Sequence, residues 1–353
     1  DFCLSRGLGD VYKRQDIIKC SIRTLIRLYC EVFRSSFYGE NAEGYKKMSF
    51  SLVLGQMVMI FILMMIGFFF FKQKLVSEQA AKDISVMVVN LCSPVLLISS
   101  VSRESSVTQH NVIVFTIVTV LSFALLILLG HLISALLLVP KPRKSDYMMM
   151  TIFGNVGFIG IPVVSGLLGQ DALIYVAIYN LAFNILIYTY GIYVIRKDME
   201  GEQGGFRLKS CINPGTIASL ITIIIFWFHI PVPNVAAQLL NYAGQPATFL
   251  SLFVIGTSLA QMNLREVVSD VRLLLFTLLR FVAVPIIAVL ISKLVLKDEM
   301  MRGVLALMIA VPVGNLPAML NKQFGKDDSV VAKGIVYTTV LSVLTITVTC
   351  MFL

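Results

Sequence analysis

The chain has 353 residues, of which 57% are hydrophobic and only 14% are charged. Soluble domains carry about 25% charged residues, so this composition excludes soluble enzymes, nucleic-acid binders and disordered chains. The net charge of +9 is clustered in short runs between long uncharged stretches, which is typical of the loops of a polytopic helical membrane protein. The six cysteines form no CxxC pair, so neither a zinc site nor a disulfide framework is predicted, and no cofactor is expected.

Residues 1–47 differ from the rest of the chain. They hold 9 of the 29 Lys and Arg residues and 6 of the 20 Asp and Glu residues, and the first methionine, Met48, comes directly before an apolar run. One interpretation is a basic amphipathic surface helix. The interpretation adopted here is a non-native or upstream-readthrough segment, which is left out of the fold prediction.

The apolar stretches after Met48 predict the architecture. A membrane-spanning helix needs about 20 mostly apolar residues, and ten segments meet this requirement. They cover residues 50–71, 79–101, 111–139, 147–169, 171–195, 212–230, 234–261, 271–296, 300–321 and 327–352. We predict an all-α polytopic membrane protein in which residues 48–198 and 212–353 each hold five helices, joined by a central cytoplasmic loop at 199–211.

The connections between these segments differ in charge on alternate sides. One side receives fourteen basic residues: Lys72, Lys74, Lys82, Lys141, Arg143, Lys144, Arg196, Lys197, Arg207, Lys209, Arg265, Arg272, Lys322 and Lys326. The other side receives four: Arg103, Lys293, Lys297 and Arg302. Because an excess of Lys and Arg marks the cytoplasmic side, we predict a multi-pass protein of the cell (inner or plasma) membrane with both ends of the ten-helix unit outside.

The two halves contain corresponding motifs. Predicted helix 2 carries NLCSP (90–94) where helix 7 carries YAGQP (242–246), and helix 4 carries GNVGFIGIP (154–162) where helix 9 carries VPVGNLP (311–317). Since five helices is an odd number, the halves enter the membrane from opposite sides. The sequence therefore predicts a 5+5 repeat with inverted topology.

The glycines and prolines of helices 4 and 9 predict two interrupted helices. Pro162 and Pro317 lack the N–H that a helix interior needs, and the neighbouring glycines weaken the helix further. Each break creates a new helix N-terminus with a proline in its first turn, and such an end attracts anions. Asn155 and Asn315 add amide groups at corresponding positions. Isolated Gly or Pro residues often mark only a kink, but two interruptions at matching positions of a repeat favour a transport site.

Nine residues form the predicted substrate site: Asn155, Gly157, Gly160, Pro162, Gly314, Asn315, Pro317, Asn90 and Asn184. Two of these assignments have structural alternatives. Asn184, with Asn180 one turn before it, either lines the cavity or bonds to a neighbouring helix. Asn90 either faces the cavity or satisfies the carbonyl that Pro94 frees. Arg280, about nine residues into helix 8, either attracts an anionic substrate or extends toward an interface.

These motifs resemble the auxin efflux carrier family over residues 48–353, most specifically in GNVGFIGIP of helix 4. The resemblance to the bacterial branch, which contains malate and malonate permeases, implies an organic-anion substrate. It also implies a fold similar to bile-acid symporters and sodium/proton antiporters, in which the two broken helices cross at the centre, and a homodimer would fit the family.

The prediction is therefore a secondary transporter of small organic anions, such as malate, malonate or auxin-like acids, working by alternating access. The alternative is an anion channel on the same scaffold. A receptor is disfavoured because no cytoplasmic loop can hold a signalling domain, and an enzyme because nothing in the spans suits catalysis. No Asp or Glu lies in the middle of a span, which disfavours a sodium/proton antiporter. Two alternatives for a coupling ion stay open: H⁺ carried on the substrate's own carboxylate, or Na⁺ held by backbone carbonyls at the breaks together with Asn155 and Asn315.

Overall fold

A computed structural model of the chain describes residues 50–102, 107–199, 212–261 and 270–353. These residues are helical or connect helices, and they contain no β-strand. The predicted N-terminal segment 1–47 and nearly all of the predicted central loop 199–211 lie outside the described residues.

A helix occupies each of the ten predicted segments, and three of the segments are divided. In chain order the helices are α1 (Phe50–Lys72), α2 (Glu78–Ser99), α3 (Gln109–Leu136), α4a (Lys144–Ile152), α4b (Val156–Leu168), α5 (Leu173–Asp198), α6 (Pro214–Trp227), α7a (Asn234–Gly244), α7b (Pro246–Gln261), α8 (Val271–Val295), α9a (Glu299–Ala310), α9b (Leu316–Gln323) and α10 (Ser329–Met351).

Six helices of the described chain are long and apolar enough to cross a membrane: α1, α2, α3, α5, the α7a–α7b pair and α8. The number is seven if the two parts of α10, Ser329–Ser342 and Leu344–Met351, which meet at an angle of 54°, are counted as one span. These lengths and compositions are those of a polytopic membrane protein.

Side-chain caps define several helix starts. The side-chain oxygens of Ser77, Thr108, Asn213, Asp270 and Asp298 each accept a hydrogen bond from the backbone N–H three residues later. Each cap satisfies one of the four N–H groups that a helix start leaves without a partner. The short polar residues between apolar segments therefore determine where α2, α3, α6, α8 and α9a begin.

Three prolines inside helices follow a widened π-helical turn. The pairs are Val88–Cys92 with Pro94 in α2, Val156–Gly160 with Pro162 in α4b, and Leu279–Ala283 with Pro285 in α8. A proline ring clashes with the carbonyl four residues earlier, and in all three helices that carbonyl belongs to the middle residue of the π-turn. The wider turn gives the ring room, so the helix continues past the proline.

The helices pack in two groups. In the first, α1 lies along α7b, and α2 packs against α6 and α7a. In the second, α3 packs against α4a and α5, while α9a packs against α8 and α10. The groups meet where α5 contacts α6, where α10 contacts α1, and where α7b contacts the π-turn of α4b.

The core of the second group is formed by α4a and α9a. Every residue from Ser145 to Ile152 is buried, and so is nearly all of α9a. By contrast, α3 leaves large apolar side chains such as Ile117 and Leu121 more than half exposed. A helix that is buried on all sides needs neighbours all round, and an apolar outer surface suits a bilayer.

Close packing of α1 on α7b generates the first prediction. A Cβ atom at Gly256 would overlap the carbonyl of Met64, so we expect Gly256→Ala to cost about 1–3 kcal/mol and to lower the Tm in detergent. The control is Gly166→Ala in α4b, where the new Cβ would lie 3.4 Å from Gln56 Oε1. The control should keep or raise the Tm, because alanine favours helix. Equal melting temperatures for the two variants would contradict this account of the packing.

Candidate functional site

The two interrupted helices, α4 and α9, touch each other at their breaks. Residues 153–155 and residues 311–315, together called the junction here, run side by side and form an isolated antiparallel bridge between Gly154 and Val313. Two backbone hydrogen bonds join them: Asn155 N–H donates to Pro312 O at 2.7 Å, and Gly314 N–H donates to Phe153 O at 3.2 Å. The freed backbone groups of each break are thus satisfied by the other, as buried non-helical backbone requires.

The helix α10 supports the junction from one side. The Thr338 hydroxyl is buried; it accepts a hydrogen bond from Val313 N–H at 3.0 Å and donates one to Gly334 O at 2.8 Å. This side chain therefore provides the hydrogen-bond acceptor for Val313 N–H, which lies between α9a and α9b and has no acceptor within a helix.

Glycines allow the two breaks to approach. A Cβ atom at Gly314 would lie 2.8 Å from Gly154 O, and one at Gly154 would lie 2.6 Å from Val311 Cγ2. Such separations are too short for a side chain. Gly157, two residues past the junction, is different, because a Cβ atom there would have no neighbour within 4 Å.

Arg280, on the π-turn of α8, is only 1% exposed. Its guanidinium links the C-terminal ends of α4a and α9a. Its Nε donates to Thr151 O at 2.5 Å, and its Nη1 donates to Ile309 O at 2.9 Å. These carbonyls lie in the last turns of α4a and α9a, where a helix carries partial negative charge. The buried guanidinium therefore neutralises two helix C-termini at once. Neither sequence-based alternative, an exposed interface position or direct attraction of a substrate, describes these contacts.

Asn155 and Asn315 stand at the starts of the second half-helices. Asn155 is buried; its Oδ1 accepts a hydrogen bond from Phe158 N–H at 3.1 Å and so caps α4b. Asn315 is half-buried at the start of α9b, and its side chain makes no capping bond. Within the described residues, no side-chain hydrogen bond involves the NH₂ group of either asparagine. Both amides are therefore free to donate to another group.

The two predicted site prolines are not equivalent. Pro317 is the second residue of α9b, so it stands in the first turn of a new helix as predicted. In α4 the new helix begins at Val156, and Pro162 comes after the π-turn instead of in the first turn. The break ends earlier than predicted because Asn155 already caps the helix. Gly160, at the end of that π-turn, faces α9a: a Cβ atom there would lie 2.9 Å from Met308 Cε.

Asn184 and Asn180 bond to the start of α6. Asn180 Nδ2 donates to Ser219 Oγ at 3.0 Å, Asn184 Nδ2 donates to Asn180 O at 2.8 Å, and Asn213 Nδ2 donates to Asn184 Oδ1 at 3.0 Å. These bonds fasten α5 to α6 across the boundary between the two packing groups.

Asn90 is exposed on the π-turn of α2. The helix α7b packs against this π-turn and against that of α4b, so Asn90 shares a neighbouring helix with the junction. Within the described residues, no hydrogen bond links Asn90 to the junction.

Sequence reasoning missed a buried ionic cluster at the start of α4a. The Asp146 carboxylate is fully buried; its Oδ1 accepts hydrogen bonds from Asn321 Nδ2 at 2.8 Å and Lys326 Nζ at 3.0 Å. Lys326 also contacts Ser145 Oγ and lies 3.4 Å from Asp198 Oδ2. The cluster joins α4a, α5 and the loop after α9b. Asp146 stands directly before the apolar run of predicted helix 4. A carboxylate at that position is the only sequence signal that could have indicated the cluster.

An exposed ion pair lies next to this cluster. In the loop before α10, Asp327 accepts hydrogen bonds from Ser329 N–H and from Arg143 Nη2, the latter at 2.7 Å. These bonds lower the pKa of Asp327 to about 2. The carboxylate therefore stays charged at physiological pH, and any stability from this pair is lost only as the pH falls toward 2.

Sequence comparison adds evidence about the whole chain. A family model described as "Membrane transport protein" matches residues 52–350. The chain is also 23% identical to an uncharacterized transporter of Methanocaldococcus jannaschii, over 82% of this chain and 95% of that protein. It is 21% identical to an uncharacterized transporter of Methanothermobacter thermautotrophicus, over 81% and 94% of the two chains.

The junction glycines generate the second prediction. We expect Gly314→Ala to push the two breaks apart, to cost about 1–3 kcal/mol, and to lower the Tm in detergent. The matched control is Gly157→Ala, which places a methyl group in open space and should leave the Tm unchanged. A Gly314→Ala variant that melts like wild type would show that the close approach is not needed.

Arg280 generates the third prediction. Hydrogen bonds to a charged group contribute about 1.5–3 kcal/mol each, so Arg280→Met, which removes two, should cost about 3 kcal/mol or more. Arg280→Lys keeps the charge but loses the planar guanidinium that donates to both carbonyls. Its Tm should lie between that of Arg280→Met and that of wild type.

Arg302→Met is the control for this series. Its partner, Glu299 at 3.4 Å, is largely exposed, and such pairs contribute little to stability. If both methionine variants melted alike, Arg280 would not fasten the two half-helices.

Proposed function

Because the chain belongs to the membrane transport protein family, as its resemblance to the auxin efflux carriers predicts, we propose that it is a secondary transporter of small organic anions. The substrates are mono- or dicarboxylates such as malate and malonate, or auxin-like acids. The substrate binds beside the junction, at the starts of α4b and α9b.

The observation that carries this proposal is the electrostatic asymmetry of the junction. Four half-helix ends meet there: two C-terminal ends with partial negative charge and two N-terminal ends with partial positive charge. Arg280 neutralises the negative ends through Thr151 O and Ile309 O. No described Asp or Glu side chain bonds to the first turn of α4b or α9b. The positive ends are left for an anion to neutralise.

Two amides make the site suitable for a carboxylate in particular. The NH₂ groups of Asn155 and Asn315 are available as donors, and a carboxylate accepts hydrogen bonds on two oxygens. The open space at Gly157 provides room next to the first of these amides. Hydrogen bonds from neutral donors allow release as well as binding, which a carrier needs on each cycle.

We also propose that the ten helices form a 5+5 inverted repeat. Three features support it. The pair α3–α4a corresponds to α8–α9a, and the pair α5–α6 corresponds to α10–α1. Both second half-helices are followed by a glycine with positive φ, Gly169 at 84° and Gly325 at 71°. The basic connections then put both ends of the unit outside, and a homodimer of this arrangement fits the family.

The two packing groups suggest how access alternates. The group that holds the junction moves relative to the group of α1, α2, α6 and α7, and so exposes the substrate to each side in turn. The coupling ion in this proposal is H⁺ travelling on the substrate carboxylate, or Na⁺ held by carbonyls of the breaks. Neither requires an acidic side chain in mid-membrane.

The fourth prediction tests the site by counterflow in proteoliposomes with labelled malate, malonate, succinate, lactate and indole-acetate. We expect wild-type protein to accumulate at least one acid, and Asn155→Ala and Asn315→Ala to reduce that rate about tenfold or more, since each loses a donor to the substrate. Asn155→Ala should lose about 1 kcal/mol of stability with its cap, and Asn315→Ala almost none.

Asn241→Ala is the matched control, because in the part of the chain that the structure describes the Asn241 amide bonds only to Ala237 O of its own helix. This variant should transport like wild type. Wild-type counterflow in both site variants would remove the asparagines from the site. Flux that rises linearly with concentration, together with measurable conductance, would identify an anion channel instead.

A further inference from the structure

A pocket lies at the start of α4a, the end of that helix opposite the junction. It has a volume of about 660 Å³ and is enclosed by the last turns of α3 and α5, the start of α4a and the short helix Lys141–Arg143. Its wall includes Lys141, Lys144 and Lys197 together with Tyr190 and Tyr193. Neither the junction nor the proposed transport site uses these residues.

The pocket has an excess of positive charge. Within the described residues, none of the three lysines forms an ion pair; Lys197 lies over the Tyr193 ring, with Nζ 5.8 Å from its centroid. The one acidic residue of the wall is Asp198, and its Oδ2 already accepts a hydrogen bond from Ser145 N–H at 2.7 Å and contacts Lys326. Among the described residues, these three ammonium groups therefore have no partner carboxylate.

A buried hydroxyl in the same wall also lacks a partner. Ser134 is 3% exposed, and its Oγ makes no hydrogen bond within the described chain. Buried hydroxyls are normally hydrogen-bonded, and an exception needs an explanation. An acceptor in the pocket would supply the missing bond.

An apolar path leads along α3 to this pocket. Leu128, Leu132 and Leu136 follow one another at intervals of four residues, so they lie on one face of the helix. All three are 59–66% exposed. His131, three residues after Leu128, is their neighbour on the helix surface and lines the pocket. Tyr190 and Tyr193 stand at the end of α5, the position that aromatic side chains favour at a membrane–water interface.

We propose that this pocket binds the head group of an anionic phospholipid. The phosphate is held by Lys141, Lys144 and Lys197 and accepts a hydrogen bond from Ser134, while an acyl chain lies on the leucine face of α3. Basic pockets between helices on the lysine-rich side of a membrane protein are suited to such head groups. The leucine face and the two tyrosines favour a lipid over a soluble phosphate compound, because a lipid bound here keeps its acyl chain in apolar contact with α3 and a soluble compound gains no such contact.

The test is lipid titration of the full chain in detergent by native mass spectrometry. Phosphatidylglycerol is compared with phosphatidylcholine of the same acyl chains. We expect wild type to bind phosphatidylglycerol about tenfold more tightly or better, and the triple variant Lys141→Gln, Lys144→Gln, Lys197→Gln to lose that preference. Ser134→Ala, which removes only an unpartnered hydroxyl and keeps the fold, should weaken phosphatidylglycerol binding about threefold.

The control triple variant is Lys72→Gln, Lys74→Gln, Lys322→Gln, which removes the same charge from outside the pocket on the same predicted side of the membrane. It should change the affinity less than twofold. Equal losses in the two triple variants would overturn the proposal, because general charge would then explain the binding. Inorganic phosphate or glycerol 3-phosphate that displaces phosphatidylglycerol at equal concentration would also overturn it, in favour of a soluble ligand.

Discussion

The pairing of two helix breaks is the constraint on which the rest of this structure depends. Backbone that leaves a helix inside a membrane protein must find hydrogen bonds within the protein. Here Asn155 N–H and Gly314 N–H find them on the opposite break. The Thr338 hydroxyl accepts a hydrogen bond from one further N–H, that of Val313, and Arg280 donates hydrogen bonds to two carbonyls. Polar contacts therefore bind α10 to the junction and α8 to the ends of α4a and α9a beside it, and α4a and α9a are buried between these two helices and their neighbours.

Prolines inside helices are also accommodated by a local change of the backbone. In α2, α4b and α8 a π-turn precedes the proline, so the helix widens where the ring would clash and then resumes. In α8 this turn has a second effect, because Arg280 is one of its residues. A sequence feature that would otherwise only weaken a helix lies at the position from which the guanidinium contacts both half-helices.

The sequence predicts those features whose physics is local. Apolar length predicts the helices, and glycine with proline predicts the breaks in α4 and α9, because each signal lies within a few residues of its effect. The partners of Arg280 are different: Thr151 is 129 residues away, and no local pattern shows which carbonyls a buried guanidinium will meet. The Asp146–Lys326 pair was missed for the same reason. The start of α4b was predicted at Pro162, but the helix begins at Val156, because Asn155 caps it there. Both a capping asparagine and a proline are signals for a helix start, and the sequence does not show which of the two applies.

The contacts of Arg280 constrain the order in which the protein is assembled during synthesis. Arg280 belongs to the second half of the chain, but one of its two acceptors, Thr151 O, belongs to the first. The ribosome completes α4a long before it reaches α8 and α9, so the carbonyl of Thr151 and the extended backbone of residues 153–155 wait without their final partners. During that interval, water or the insertion machinery must keep them from lipid. The centre of the protein is thus assembled last, and a chain that stops after α5 lacks the groups that close its own interior.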